Sequence, residues 1–592
     1  MFHSLRFASV VIVLLSFSFV LFFLPEVNIV DANFMPIPTP QPAFVIREDG
    51  SIDPPTAPIQ RIGEVYTLTD DITGYTIAVE RDNIIIDGGG HTLLGNGNST
   101  GLFIKNQNSV TVRNMEIRNF YYGIRIFSEP YMGMSSEGNF LSGNTLTNNN
   151  YGVYIGSSSS NTLRNNYISN NKHGLYISYS SNNMLRNNHL SNNSYNFFVY
   201  TTTLSDSIND IDVTNTINGK PIIYWINQQN KPVPSDLGYL ALVNCTRMTV
   251  SNFELANNGQ GILLVSVTNS IISENRLTNH ENGIWIVTSS NNRIAENTIT
   301  KNSYDAVYIH SSTNNNFTSN TVTNNGYDGI NVGQVIGNNG RGAIRLTESS
   351  NNIISENIIE YNGEGINLQG SNNNYIAENS VNSNNGTAIH LFWSTDVNIR
   401  GNRITGNNGW GIKIWSSSNN TILLNYITNN NDGILIDDST QNKIIRNNST
   451  GNSGWGIQIK SAGLGPLSSA DNIIHHNNFI NNKAEGLQVS IPGIWAYPEG
   501  WIPGLGNVWD DGKEGNYWGD FITRYPNSTE IEATGVWNTA YYINPNNIDH
   551  YPLLAPVDIA VIPEFPSWLI LPLFIVATLL TVILYKRLPK KT

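Results

Sequence analysis

Residues 283–302 read GIWIVTSSNNRIAENTITKN, and the same spelling recurs on both sides of that stretch. Counted from Gly283, apolar residues stand at +1, +3, +11 and +16 (Ile284, Ile286, Ile294, Ile299), and asparagines at +9, +14 and +19 (Asn292, Asn297, Asn302). Alternation at period two is the mark of a strand, and three short strands per repeat describe a three-sided coil. No stretch sustains a 3.6 period, and asparagine and glycine are poor helix formers, so helices are excluded.

Glycine followed by apolar-x-apolar returns at Gly123, Gly152, Gly174, Gly261, Gly283, Gly329, Gly365, Gly411, Gly433 and Gly456, with Ala306, Ala343 and Ala388 in the glycine slot of intervening repeats. The interval is 22 from 152 to 174, from 261 to 283 and from 411 to 433, and 23 from 433 to 456. Repeats of this length predict an all-β, right-handed parallel β-helix of roughly fifteen stacked coils, each rising about 4.8 Å. The +14 and +19 asparagines are expected at the bends, in left-handed backbone, bonding to their equivalents in a ladder.

Domain organisation follows from where the repeat starts and stops. Residues 1–32 hold an apolar run behind Arg6 and read as a signal peptide or an N-terminal anchor. Residues 33–60 are proline-rich and read as a linker, 61–486 as the β-helix, and 487–556 as an aromatic, glycine-rich cap over the last coil. After a linker at 557–567, residues 568–585 form an apolar stretch of membrane-spanning length, and the basic tail at 586–592 places that end in the cytoplasm. The expected location is therefore the cell surface, with the body outside and the C-terminal helix in the membrane. Insertions at Ser128–Glu137, Ile211–Val250 and Ser461–Ser469 interrupt the period, and loops of a solenoid usually carry function.

Composition limits the partners. Charged residues are 13% of the 592 and the formal net charge is -13, which disfavours nucleic acid. The single cysteine, Cys245, excludes a disulfide framework. Sequons such as Asn98-Ser-Thr, Asn244-Cys-Thr, Asn316-Phe-Thr and Asn527-Ser-Thr suit an exported glycoprotein.

The chain resembles the right-handed β-helix proteins of the NosD type, abundant among archaeal surface proteins. The matching residues are Asn218-Gly-Lys-Pro-Ile-Ile-Tyr-Trp225, Val233-Pro234, Leu242-Val-Asn-Cys245, Gly515-Asn-Tyr-Trp-Gly-Asp520 and Asp549-His-Tyr-Pro552. The resemblance covers about residues 45–556 and implies the fold. The namesake role, assembly of the copper sites of nitrous oxide reductase, would need clustered soft ligands. Here the only adjacent histidines are His475 and His476, so no metal site is expected. The tail from Pro563-Glu-Phe565 onward also looks like a sorting signal read by archaeosortase-type enzymes, the alternative to a plain anchor.

Two sets of residues are candidates for function. The +2 position points outward between two core residues, and there Tyr154, Tyr176, Trp285, Tyr308, Arg345, Asn367, His390 and Lys413 would line a strip that binds a polysaccharide or another envelope glycan. The alternative is an aromatic ladder that steadies neighbouring strands. Just before the glycine slot, Asp305 and Asp328 would stack on successive coils as a catalytic pair in a polysaccharide lyase or glycoside hydrolase, or bind Ca²⁺. The motifs of polygalacturonases are absent apart from bare Asp-Asp pairs. Glycan binding is thus the leading expectation, catalysis the second and a purely structural surface protein the third.

Overall fold

The computed structural model describes residues 42–129, 133–326, 342–460, 469–483, 488–491 and 506–559. The expected signal segment, membrane helix and basic tail lie outside the described residues, as does Asp328. Among the described residues no helix is long and apolar enough to cross a membrane.

The coils stack in parallel register, and residues one repeat apart pair directly. Ile284 and Ile286 lie against Val307 and Ile309 of the next turn, and Ile412 and Ile414 against Ile434 and Ile436. Interior isoleucines are fully buried, each contributing about 1.5–3 kcal/mol. The glycine slot is explained by crowding along the axis: a Cβ at Gly152 would stand 2.7 Å from the carbonyl oxygen of Gly174.

The asparagines do form ladders, but not as the left-handed residues. In Asn297→Asn320→Asn357→Asn379 each amide is buried at 2% exposure or less. The Asn297 Nδ2 donates to Asn320 Oδ1 at 2.9 Å, and that oxygen also accepts the Asn297 backbone N–H at 3.0 Å. Left-handed backbone falls one position earlier, at Glu296, Ser319, Glu356 and Glu378. The preceding residue makes the bend, and the asparagine turns inward to satisfy backbone groups that the bend leaves unpaired.

The solenoid is built as two stacks. In the first, long strands from Ala43–Ile46 through Tyr151–Gly156 and His173–Ser178 to Tyr195–Tyr200 form one face. The proline-rich stretch is a correction to the expected linker: Ala43–Ile46 pairs with Thr76–Val79, and Ile59–Ile62 folds back on Val65–Leu68, so this segment closes the N-terminal end. The period break after residue 211 is the joint between the stacks. Thr216–Ile217 turns at Gly219 (φ 82°) into Lys220–Ile226, an antiparallel reversal that starts a second long face. That face runs through Tyr239–Val243, Gln260–Val265, Asn282–Val287 and onward to Ile457–Lys460. The outer sides of its first strands, including Tyr239, Ala241 and Leu263, join the core of the first stack, where the Phe197 and Tyr239 rings meet edge-on at 5.0 Å.

Val307–His310 pairs directly with Gly342–Thr347, and the repeat expected at Gly329 lies outside the described residues. At the far end the cap residues Trp518 and Tyr541 stack face to face at 4.1 Å beneath the last coil. Buried Asp549 accepts hydrogen bonds from Asn516 N and Trp518 Nε1. Burial pushes its carboxyl up to about 7 against those donors.

Candidate functional site

The +2 position recurs in both stacks, but its strand register breaks at the joint, and its character changes along the chain. In the first stack Tyr154, Tyr176 and Phe198 stack in turn, with centroids 5.5 and 4.6 Å apart. Across the joint Trp285 meets Phe198 edge-on at 6.0 Å, donates its Nε1–H to Thr201 O at 3.2 Å, and packs on Tyr308 at 4.4 Å. Tyr154, Tyr176, Trp285 and Tyr308 expose 6, 5, 6 and 8% of their surface. These four were expected on an open strip; the structure places them on the outside of their coils yet covered by each other and by the joint.

Beyond Tyr308 the same column carries heteroatoms. Arg345 stands over the Tyr308 ring at 5.5 Å and reaches Asp305 at 4.0 Å. Next come Asn367, His390 and Lys413, each paired in register with the one before. The Asn367 amide donates to Glu364 Oε2 at 2.9 Å and lies 3.5 Å from His390 Nδ1. With Nδ1 accepting, the His390 proton sits on Nε2, which is buried and has no hydrogen-bond partner. Burial, reinforced by the Lys413 charge, drops the His390 pKa to about 3, so the ring is neutral. Burial also raises the Glu364 carboxyl and lowers the Lys413 ammonium, with each partly stabilised by the other's charge. Asp437 is raised by burial and by Asp438, and its Oδ1 is also unpartnered.

Aromatic rings flank this polar line. The Lys413 ammonium is 4.9 Å from the Trp415 ring, and Lys460 stands 5.4 Å over Trp410. Phe392 packs on Trp415 at 4.6 Å and on Trp393 at 4.2 Å. Sequence reasoning missed Glu364 as a partner of the strip, and it missed Trp393. The signal for Trp393 was present: at +5 the other coils of this stretch carry Thr288, Ser311, Glu348, Gly370, Ser416 and Asp438.

Of the acid pair expected at Asp305 and Asp328, Asp328 lies outside the described residues, and the next described strand in register with Val307–His310 is Gly342–Thr347. Among the described residues no group of three or more His, Cys, Asp or Glu is arranged to hold a metal ion. A separate concavity of ≈ 860 Å³ opens at the joint between Asn192, Tyr195, Asn257, Asn279, Lys301 and Ser303, away from the charged strip. It has an amide lining and contains none of the candidate residues.

Stacked parallel strands with inward asparagine ladders define a right-handed parallel β-helix. A right-handed β-helix profile matches residues 77–231 and 235–335, and the profile described as periplasmic copper-binding protein (NosD) matches 333–522. The chain belongs to the NosD-type right-handed β-helix family. No curated protein matches the sequence. Among solved structures it is similar to the mannuronan C-5 epimerase AlgE4 A-module of Azotobacter vinelandii, at 15% identity over 65% of this chain and 89% of that one, TM-score 0.28. It is also similar to the periplasmic alginate epimerase AlgG, at 13% identity over 76% and 78%, TM-score 0.23. A third is DFA-IIIase from Arthrobacter chlorophenolicus A6, at 12% identity over 52% and 81%, TM-score 0.23. These likenesses concern the fold alone.

Proposed function

We propose that the protein is an extracytoplasmic glycan-binding β-helix, and that its binding face is the second half of the +2 column, from Arg345 to Lys413 with the rings beside it. The observation that carries this reading is the pairing of unsatisfied polar atoms with aromatic rims. His390 Nε2 and Asp437 Oδ1 lack partners on a face bordered by Trp410 and Trp415. Buried polar groups are almost always hydrogen-bonded, and a hydroxyl-rich ligand supplies what these lack. Ligand sites combine apolar walls with a few convergent polar groups in just this way. The buried rings, Tyr154 and Tyr176 in the first stack with Trp285 and Tyr308 at the start of the second, take the structural part of the column. A glycan array probed with the full-length chain and with Asn367→Ala and His390→Ala tests the reading. Binding reduced in both variants is expected; array binding untouched by either substitution contradicts it.

A second reading is catalysis on the same glycan. A carboxyl raised by burial and a neutral imidazole, Glu364 and His390, both meet the Asn367 amide, and this reading assigns them as general acid and base. Glu364 is the carboxyl this reading requires. It predicts product release from an array-positive glycan, abolished in Glu364→Gln; affinity without product leaves binding as the whole function.

A further inference from the structure

Trp393 is half exposed, at 52%, and its backbone is left-handed with φ 49°. A bulky aromatic residue rarely adopts that conformation, because its Cβ crowds the following carbonyl. Every other residue at +5 in this stretch is small, polar or acidic. The Trp393 ring adds nothing to the core, yet it extends a platform with Phe392 and Trp415, 4.2 and 4.6 Å apart ring to ring. Strained backbone that supports an exposed ring is a signature of a functional position.

The platform borders the polar line of Asn367, His390 and Lys413, whose members are one coil rise apart, about 4.8 Å. That spacing is close to the length of one pyranose residue in an extended chain. Sugars linked through equatorial positions form flat ribbons with axial C–H bonds on their faces, and those bonds carry the partial positive charge that the face of an indole attracts. Sugars linked axially curl away from a straight row of sites.

Resting on the glycan-binding reading, we infer that the ligand is an unbranched, equatorially linked pyranose chain lying along the rod axis. One sugar residue sits on each of the five coils from Glu364–Gln369 to Ile457–Lys460, and Trp393 is the stacking anchor. The coil register spaces the sugars, Asn367, His390 and Lys413 bond hydroxyls on the first three coils, and the ring platform fixes which face lies down.

Calorimetric titration of the full-length chain with cello-, xylo- and chito-oligosaccharides of two to eight residues, with malto-oligosaccharides as the axially linked control, tests the inference. Affinity is expected to rise with each added residue of at least one equatorial series up to about five and then level off, with the malto series weaker. Trp393→Asn is expected to lower affinity about tenfold, the loss of one stacked ring. It should leave the melting temperature unchanged or higher, since asparagine tolerates left-handed backbone. If no oligosaccharide binds, the glycan-binding reading falls and this inference with it. Binding that is independent of length, equal for the malto series, or insensitive to Trp393→Asn overturns the inference and leaves that reading in place. A lower melting temperature in Trp393→Asn assigns the ring to stability and overturns its role as anchor.

Discussion

The two stacks share one backbone plan and the same outward position in the repeat, but they fill that position differently. From Tyr154 to Phe198 the slot holds rings in face contact, sealed by the joint at Trp285. From Arg345 to Lys413 the same slot holds a guanidinium, an amide, an imidazole and an ammonium, some of whose hydrogen-bonding capacity is unused. A ring in the slot is satisfied by its neighbours one turn away and contributes stability. A heteroatom there has only two neighbours in register, and hydrogen-bonding capacity is left over, as at the buried His390 Nε2. Position in the repeat therefore sets where a side chain sits, whereas the residue type decides whether its neighbours satisfy it.

The largest effect that would break this division is expected from Tyr176→Ala. Removing a buried ring from the sealed half should cost about 3–5 kcal/mol, read as a loss of denaturant resistance in the first stack, with glycan affinity unchanged. Lost affinity without lost stability would place the ligand on the wrong half.

Acid should act next most strongly. His280 takes the asparagine place in a ladder, accepting the Asn258 N–H on Nδ1 at 3.2 Å and donating Nε2–H to Leu255 O at 2.9 Å. Burial lowers its pKa to about 4. A histidine depressed in the folded state contributes its full stability above about pH 6.5 and loses it as pH falls toward 4, because the unfolded chain takes up the proton first. The loss should be on the order of 3 kcal/mol by pH 4. His280→Asn should reduce this acid sensitivity while keeping the ladder, which melting curves between pH 7 and 4 will show. An unaltered pH profile in the variant contradicts the assignment.

The smallest effect belongs to the boundary. Arg345 touches Tyr308 on the sealed side and Asp305 beside it, and it also begins the polar line. Arg345→Ala should lose about 1 kcal/mol of stability and only a few-fold in affinity. A large change in one property alone would move the boundary by a coil.

Much of this was legible in the residues themselves. The glycine slot, the paired apolar positions and the asparagine offsets report short-range geometry, so they give coil length, strand faces and ladders directly. The joint was not legible, because Asn218-Gly-Lys-Pro221 reads as an insertion whether it leaves the rod straight or turns it. That turn is what buries Trp285 and Tyr308, so exposure of the column could not be read from its spelling. Trp393 was missed because apolar periodicity is blind to backbone strain.

The division of the column is tested most directly by hydrogen exchange on the full-length chain with and without a bound oligosaccharide. The expected result is new protection at Glu364–Gln369, Ile389–Phe392 and Trp410–Trp415, with none at Tyr151–Gly156 or His173–Ser178. Protection that appears on the first stack or at the joint, and leaves the strands from 364 to 415 unchanged, would contradict it.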